Sequence, residues 1–368
     1  MTRRAAVDAP VASSTPPTAG AAKPRIALWD NLRFLAIVLV VMGHTLQPQA
    51  FDDDVALTIY LVIYSFHVPL FLFLAGYFSR GEAPDGSRMR RVVTDLLVPY
   101  VLLQGIWSVI QLLVEGRLGF NWTTAHWTLW FLIALAAYRI LLPYLALLKR
   151  PIALGGAVVL ALAAGFWTNV DSTLALTRVI GFLPFFLLGW MLRDSPLPAR
   201  WLEAPPRVVW PVRAGALAVF ATWITIVAVN IRAFDRFELR LWLFADDSYR
   251  NMDAVAWWAP LLRLGLMALT LALITCAVLL APRRPTFFTS LGAATLYVYL
   301  LHTFVLYPIR QSEFLRGDHA HGWWILGGMA FAILVAFALS SKPVRWATRW
   351  AIEPRASWLF RRTEPVGR

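Results

Sequence analysis

At 368 residues, 59% hydrophobic and 15% charged, with a mean hydropathy of +0.61, the chain is too apolar for an ordinary soluble protein. Its net charge of +13 comes from 34 Lys and Arg against 21 Asp and Glu. In so apolar a chain this excess indicates orientation in a membrane rather than nucleic-acid binding. The single cysteine, Cys276, excludes an intrachain disulfide and a cysteine-based metal cluster, and no metal site is expected.

Residues 1–24 are rich in Ala, Pro, Ser and Thr and lack the apolar core of a signal peptide, which predicts a disordered cytoplasmic tail. Residues 25–341 carry recurrent apolar runs long enough to cross a bilayer, and their continuous apolarity favours helices over β-barrel strands. We predict an all-α, polytopic transmembrane helical bundle of about ten spans, followed by a basic cytoplasmic tail at 342–368. The predicted spans are 32–48, 55–79, 92–114, 127–148, 151–168, 178–192, 211–231, 254–280, 286–308 and 322–341.

Basic residues in alternate connections predict which side of the membrane each connection faces. One set, with both termini and the connection 80–91, holds 24 of the 34 Lys and Arg residues. The other set holds eight, together with the acidic run 52–54. Since cytoplasmic connections carry the excess of Lys and Arg, both termini should be cytoplasmic. Arg139 and Arg263 fall inside predicted spans, where a charge must face the bundle interior or a cavity.

The first span, LWDNLRFLAIVLVVMGHTLQP, places Arg33 and His44 eleven positions apart. On a helix this spacing is roughly three full turns, so both side chains lie on one face about 16 Å apart. A buried imidazole favours its neutral form, which accepts protons, and His44 is therefore a candidate general base. The alternative is that His44 only bonds a neighbouring helix while Arg33 anchors the inner end of the span.

The connection after the second span carries Arg88 and Arg91, three positions apart where a helix begins. Such a pair can project together toward a phosphate-bearing ligand, although a basic cluster here is also expected from topology alone. His67 in the second span and His302 in the ninth are further candidates, or alternatively packing residues with one interhelical hydrogen bond. Arg178, at the outer start of the sixth span, is a candidate contact for an anionic or sugar acceptor.

Six segments, in this order, resemble one known family. They are the span from Arg33 to His44, SFHVPLFLFLAGYF at Ser65–Phe78, Arg88 and Arg91 followed by LLVPY, LWFL at Leu129–Leu132, GFLPFFLLGW at Gly181–Trp190, and LYVYLLH ending at His302. Together they resemble the membrane-bound acyltransferase family three, and most closely its fucose 4-O-acetylase-like branch. The resemblance runs from about Leu28 to His302 and somewhat beyond, and neither tail contributes to it.

This resemblance implies a ten-helix core that takes an acetyl or similar acyl group from coenzyme A in the cytoplasm. The core delivers the group to a hydroxyl, usually of a carbohydrate. His44 would be the catalytic histidine and Arg33 the motif arginine, with Arg88 and Arg91 in the donor site. Acetyl-CoA or another acyl-CoA is then a co-substrate, and no permanently bound cofactor is expected. The expected partners are the lipid bilayer, the acyl-CoA and a carbohydrate or glycosylated acceptor, at the plasma membrane of a bacterium.

Two questions stay open at the level of sequence. His44 acts either as a general base or through a covalent acyl-imidazole, and no carboxylate is clearly placed to orient its ring. The competing function is a transporter or flippase that moves a glycan or metabolite past the buried histidines and arginines without chemistry. Paired discontinuous helices in two halves would favour transport, and the sequence shows no such repeat.

Overall fold

The computed structural model describes residues 25–116, 121–168, 173–354 and 357–360. These residues form helices and contain no strand. Short 3₁₀-helical or π-helical turns join several of the helices. The α-helices are α1 (Ala27–Leu46), α2 (Asp54–Tyr64), α3 (His67–Phe78), α4 (Gly86–Val92), α5 (Val98–Glu115), α6 (Trp130–Leu145), α7 (Arg150–Ala163), α8 (Leu176–Arg193), α9 (Leu197–Glu203), α10 (Pro206–Val229), α11 (Ile231–Arg236), α12 (Leu239–Phe244), α13 (Ala259–Leu280), α14 (Thr295–Gln311), α15 (Trp323–Leu339) and α16 (Lys342–Ile352).

Eight helical stretches of the described chain are long and apolar enough to cross a membrane, and α15 with α16 forms a ninth candidate bent by 72°. Arg150–Phe166 is a shorter apolar helix. All ten predicted spans therefore coincide with helices, and the predicted polytopic helical bundle is confirmed. The span predicted at 254–280 begins later, at Ala259, because Pro260 occupies the first turn. Proline suits that position, whereas a helix begun at 254 would place it in the interior.

The second span is broken at Ser65 and Phe66, between α2 and α3. The hydroxyl of Thr270 donates a hydrogen bond to the Ser65 carbonyl at 2.7 Å, and the indole N–H of Trp223 donates to the Ser65 hydroxyl at 3.1 Å. Irregular backbone at membrane depth is stable only where neighbouring helices satisfy its polar groups, as α10 and α13 do here. The break brings Tyr64 and His67, one at each side of it, to a ring-centroid distance of 4.5 Å.

Helices α3 and α8 cross with their backbones in contact. A Cβ atom at Gly76 would overlap the carbonyl oxygen of Phe186, and a Cβ atom at Gly189 would overlap that of Phe73. Membrane helices associate through close packing rather than through the hydrophobic effect, and small residues at the crossing permit it. This crossing holds α3, and therefore His67, in a fixed position in the bundle.

The helix ends meet at two faces, which we name the inner and outer faces after the predicted sidedness. At the inner face Arg150 pairs with Asp194 at 2.6 Å, and at the outer face Arg316 pairs with Asp52 at 2.8 Å. Burial acts to raise the pKa of Asp52, but hydrogen bonds from the Gly317 amide and from Arg316 bring it below its ordinary value. Connections predicted to share a side thus contact one another, while the cytoplasmic assignment of the inner face stays a prediction.

Two arginines inside spans differ in their placement. Arg263 on α13 is 7% exposed and donates hydrogen bonds to the carbonyls of Ala161 at 3.4 Å and Asp247 at 3.2 Å, so its predicted interior position is confirmed. Arg139 on α6 lies exposed on the surface of the bundle, so the expectation that it faces the interior was wrong. The carboxylate of Asp95, on the π-helical turn packed against α6, compensates its charge there.

The segment after residue 341, predicted as a basic cytoplasmic tail, begins with α16. This helix packs the buried side chains of Ala351 and Ile352 against the bundle and leaves Trp346 and Trp350 exposed. The predicted N-terminal tail at 1–24 lies outside the described residues.

Candidate active site

Helix α1 carries Arg33 near the inner face and His44 near the outer face, as the spacing predicts. Gln47 lies about one turn after His44 on α1. Its side-chain carbonyl accepts a hydrogen bond from Arg310 at 2.7 Å, and this contact holds the end of α1 against the last turn of α14. Pro48 follows directly, and α1 ends at Leu46 with Gln47 as its C-cap. The structure thus places His44 where the helix runs out into the outer connections.

The ring of His44 packs among aromatic and imidazole rings from two other spans. Its Nδ1 atom lies 3.4 Å from the hydroxyl of Tyr64, at the end of α2. The centroid of the His302 ring, on α14, is 5.3 Å away. Tyr64 also contacts His67. We name His44, Tyr64, His67 and His302 the histidine cluster. It brings together the three histidines predicted for the site.

His67 and His302 share one local geometry, and this geometry determines which ring nitrogen carries the proton. The Nδ1 atom of His67 lies 2.8 Å from the carbonyl oxygen of Ile63, and that of His302 lies 3.0 Å from the carbonyl oxygen of Val298. A carbonyl only accepts hydrogen bonds, so Nδ1 carries the proton in both rings and Nε2 presents a lone pair in the neutral form. Both Nε2 atoms are buried without a hydrogen-bond partner among the described residues.

Exposure separates His44 from the other two histidines. His67 is 1% exposed and His302 is fully buried, whereas His44 retains accessible surface. Of the three histidines, His44 is thus the partly exposed one, with surface outside the packed cluster, while the rings of His67 and His302 are enclosed.

The Tyr64 hydroxyl occupies the position where many enzymes place a carboxylate that orients a catalytic imidazole. When its oxygen accepts a hydrogen bond from Nδ1–H of His44, the lone pair needed by a general base lies on Nε2. Tyr64 is the one hydrogen-bond partner of the His44 ring within the described residues, and no carboxylate contacts that ring there. The Tyr64 hydroxyl is therefore the candidate for the orienting group, and either atom of the pair can be the donor.

Arg33 does not contact the histidine cluster. Its guanidinium lies 3.6 Å from the Asp30 carboxylate and 3.8 Å from the centroid of the Phe78 ring. Asp30 is itself buried and also pairs with Arg25 at 3.3 Å. Arg33 is therefore held in one orientation at the inner face, below the cluster on the same helix.

Arg88 and Arg91 lie on α4, at the inner end of a continuous helical stretch of 30 residues, Gly86–Glu115. Such a stretch spans roughly 45 Å, and its other end reaches the outer face near His44. The Asp85 carboxylate caps α4 by accepting a hydrogen bond from the Arg88 amide at 2.7 Å. The two arginines are thus placed together on one short helix, but the structure does not bring them near the histidine cluster.

The two candidates for the donor site, Arg88 and Arg91, differ in the surroundings of their side chains. The Arg88 side chain pairs with Glu82 at 3.0 Å, and this hydrogen bond lowers the pKa of the exposed Glu82 carboxyl. Arg91 is exposed. Since the Glu82 pair is solvated, its strength is small and a phosphate group can displace it.

Arg178, at the outer end of α8, pairs with Asp246 and lies 4.8 Å from the centroid of the Trp130 ring. Burial raises the pKa of the Asp246 carboxyl, and the adjacent guanidinium opposes that effect. The charge of Arg178 acts on His44, but the structure shows no contact between the two side chains. Arg178 therefore fastens the outer connection to α8 beside the cluster.

Sequence reasoning missed Tyr64, Gln47 and Arg310. Tyr64 directly precedes the recognised segment at Ser65–Phe78, three positions before His67, and that helical spacing is the signal that could have found it. Gln47 and Arg310 are 263 positions apart in sequence, and no local pattern connects them. In the part of the chain that the structure describes, no group of three or more His, Cys, Asp and Glu is arranged to hold a metal ion.

Comparison with known proteins agrees with this architecture. Residues 26–341 match the model of acyltransferase family three, described as an acyltransferase domain. A nodulation protein NolL of Sinorhizobium fredii is 27% identical over 219 residues, covering 55% of this chain and 56% of that protein. A nodulation protein NolL of Mesorhizobium japonicum is 25% identical over 221 residues, covering 56% of this chain and 54% of that protein.

The chain therefore spans about half the length of the curated relatives it matches. No solved structure matches it. The family match covers most of the sequence, including all seven residues predicted for the site. The chain belongs to the acyltransferase family three and is a multi-pass membrane protein.

Proposed function

We propose that this protein is an O-acyltransferase, and specifically an O-acetyltransferase, that uses a cytoplasmic acyl-CoA to modify a hydroxyl of a carbohydrate or glycosylated acceptor. The observation that carries the proposal is the accessible His44 ring, oriented by Tyr64 and backed by the buried His302. The proposed location is the plasma membrane of a bacterium, with the bilayer, the acyl-CoA and the acceptor as partners.

The transfer step follows from the geometry of His44. Its Nε2 takes the proton of the acceptor hydroxyl as the oxygen attacks the carbonyl carbon of the thioester. The new carbon–oxygen bond forms, the carbon–sulfur bond breaks, and the imidazolium returns the proton to the departing thiolate of coenzyme A. Tyr64 holds the orientation of the ring through its hydroxyl at Nδ1. In this direct route the acyl group passes from sulfur to oxygen in one transfer, and a covalent acyl-imidazole is the less favoured alternative.

Donor binding is proposed at the inner face. The phosphates of coenzyme A require fixed cations, and guanidinium groups bind phosphate through two hydrogen bonds without losing their charge. Arg88 and Arg91 supply two such groups on α4, and Arg33 lies at the same face. The long pantetheine arm then carries the thioester between the helices toward His44, which explains why the arginines lie far from the cluster.

Transport without chemistry remains the second candidate function, since a break in a span such as Ser65–Phe66 also occurs in transporters. The break here is satisfied by Thr270 and Trp223 and lies beside the histidine cluster. It therefore positions Tyr64 and His67. An oriented, accessible base favours catalysis over a passive substrate path.

The test supplies radiolabelled acetyl-CoA to inside-out membrane vesicles that contain the protein and follows label in carbohydrate and glycosylated products. We expect label in an alkali-labile ester that depends on the protein. Mass spectrometry of cell-surface glycans with and without the protein then identifies the acceptor. Movement of an intact glycan across the membrane with no ester formed would contradict the proposal and support transport.

A further inference from the structure

The outer face contains a cavity of about 420 Å³ whose ligand has not been assigned. Its walls come from the last turns of α5, from the segment Ala125–Trp127 before α6, and from the last turn of α14. The volume falls within the range of about 300–1,000 Å³ that is typical of small-molecule sites. The described residues alone therefore form a space large enough for one sugar ring.

One wall of this outer cavity is aromatic. The ring of Trp127 lies with its centroid 5.8 Å from that of Trp107 and 6.1 Å from that of Tyr307. Trp127 is 36% exposed, so part of its ring is free to contact a ligand. Aromatic rings present a broad apolar face with negative charge at its centre, which suits the C–H face of a pyranose.

The remaining wall of the cavity is polar and has little net charge. Glu115 accepts hydrogen bonds from the Tyr307 hydroxyl at 2.7 Å and from the Gln311 amide at 3.2 Å, and the carboxylate stays exposed. Gln111 adds a second amide. Amides and a carboxylate beside an aromatic wall can accept and donate the many hydrogen bonds that sugar hydroxyls make.

Arg310 balances the charge of this wall and is already engaged. Its guanidinium donates to Gln47 at 2.7 Å and lies 4.5 Å from the centroid of the Trp127 ring. One guanidinium and one carboxylate leave the cavity close to neutral, and the guanidinium is occupied by its own contacts. A neutral, hydroxyl-rich ligand therefore fits this charge better than an anionic one.

The same arginine connects the cavity to the histidine cluster. Gln47 follows His44 by three residues on α1, which is roughly 4.5 Å along a helix axis. Arg310 therefore joins the wall of the cavity to the turn of α1 that directly follows His44.

The geometry points to this outer cavity as the acceptor subsite, taking a neutral pyranose ring whose apolar face stacks on Trp127 and whose hydroxyls bond Glu115, Gln111 and Gln311. One sugar hydroxyl is then presented toward His44 from the outer face. The catalytic meaning of this subsite rests on the proposed function. Binding of the sugar does not, because the cavity exists without any acyl donor.

The binding test uses the purified full-length protein in lipid nanodiscs without acyl-CoA. Saturation-transfer difference NMR measures binding of methyl fucoside, methyl galactoside and methyl glucoside, with methyl glucuronide as the anionic comparison. We expect a neutral glycoside to bind, and Trp127→Ala to weaken it about tenfold, which corresponds to about 1.4 kcal/mol. Glu115→Gln should weaken it as well, and this conservative variant covers the possibility that Trp127→Ala fails to fold.

Matched controls lie on the same face outside the cavity: Trp257→Ala, whose ring is 82% exposed, and Glu313→Gln, an exposed carboxylate after α14. Both controls should bind like the wild type. Unchanged binding by both cavity variants would overturn the inference. The absence of neutral-glycoside binding to the wild type, or a preference for the glucuronide, would overturn it too.

A second measurement separates this inference from the proposed function. In transfer assays Trp127→Ala should raise the KM for the acceptor while the KM for acyl-CoA stays unchanged. If transfer occurs and the acceptor KM does not move, the cavity is not the subsite and the proposed function stands. If the cavity variants lose glycoside binding but the wild type transfers no acyl group, the sugar site stands and the proposed function fails.

Discussion

Three histidines of one cluster differ in what surrounds each ring. His67 and His302 each use Nδ1–H to bond a carbonyl of their own helix and are closed off from solvent. His44 bonds no carbonyl and instead faces the Tyr64 hydroxyl with part of its ring accessible. The same side chain therefore supports the cluster at two positions and is available for proton transfer at one.

Replacing His44 by Ala should abolish acyl transfer and leave the protein inserted and folded. A positioned general base contributes about 10²–10⁴ in rate, and that factor is lost with the imidazole. Labelled-acyl turnover in membranes measures the effect, with expression checked on the same samples. His321→Ala is the matched control, because this histidine lies at the same face in a partly exposed pair with Asp53 and should lose little activity. Wild-type turnover by His44→Ala would end the catalytic assignment.

Replacing Tyr64 by Phe tests whether the hydroxyl orients His44. Phe keeps the ring that packs on His67 and Tyr60 but removes the hydrogen-bond partner of Nδ1. A net hydrogen bond contributes about 0.5–1.5 kcal/mol, so kcat should fall about two- to tenfold. The KM for acyl-CoA should not change, and the melting temperature should stay near that of the wild type. A loss confined to KM would show that Tyr64 binds substrate instead.

The sequence named His44, His67 and His302 because each ionisable side chain in an apolar span is unusual and therefore visible. Their convergence was not predictable in the same way, since it depends on the break at Ser65–Phe66 and on the packing of α14 beside α1. Tyr64 was missed because burying a tyrosine in an apolar span does not carry the free-energy cost of burying an ionisable side chain. The residue therefore does not stand out in the sequence. Contacts between distant segments, such as Gln47 with Arg310, leave no local pattern at all.

At the scale of elements, hydropathy predicted the helices well because a bilayer demands long apolar runs with internal hydrogen bonds. The predictions from hydropathy were wrong where the structure at one position depends on a particular neighbouring residue. The delayed start of α13 follows from Pro260, and Arg139 lies exposed with the Asp95 carboxylate on the adjacent turn. The positions of the two glycines in the FLAGYF and FLLGW segments are explained only by the crossing of α3 and α8.

That crossing gives a prediction about stability. Gly76→Ala and Gly189→Ala each place a Cβ on a backbone carbonyl of the partner helix, which cannot move aside as a side chain can. Overpacking of this kind typically costs about 1–3 kcal/mol. Each variant should therefore have a lower melting temperature in detergent than the wild type. The measurement is size-exclusion chromatography of samples after heating. Gly105→Ala and Gly265→Ala are controls, because a Cβ at either helical position meets nothing within 4 Å. Equal melting of all four variants would contradict the packing argument.

Helix α4 supports a prediction about donor binding. Replacing Arg88 and Arg91 together by Lys keeps the positive charge at the inner face but removes the planar geometry that binds phosphate through two hydrogen bonds. A loss of about 1–2 kcal/mol would weaken the interaction with acyl-CoA roughly five- to thirtyfold, with little change in acceptor affinity. The measurement is the apparent affinity for acyl-CoA in membranes.

The matched control for α4 is the double variant Arg200→Lys with Arg207→Lys, two exposed arginines on α9 and in the first turn of α10 at the same face. It should bind acyl-CoA like the wild type and insert normally. If Arg88→Lys with Arg91→Lys also binds like the wild type while His44→Ala is inactive, the pair only sets topology. The donor site would then be sought at Arg33.

At the scale of the whole molecule, the proposed reaction has to join two substrates from opposite sides of one bundle. The basic side chains of Arg33, Arg88 and Arg91 lie at the inner face, and the histidine cluster with its cavity lies toward the outer face. This separation works only if the inner face is the cytoplasmic one, where acyl-CoA is available. The orientation of the chain is therefore part of the mechanism, and it rests so far on the distribution of basic residues.

Cysteine labelling in a Cys276→Ala background tests this orientation. Gly86→Cys reports on the inner connection, where a Cβ meets nothing within 4 Å, and Val255→Cys reports on the outer connection, where the native side chain is 71% exposed. With an impermeant maleimide, intact cells should label position 255 alone, and inside-out vesicles should label position 86 alone. Permeabilised cells, in which both positions must react, control for accessibility. Labelling of position 86 from outside intact cells would reverse the bundle, place the arginines away from cytoplasmic acyl-CoA, and overturn the proposed path of the donor to His44.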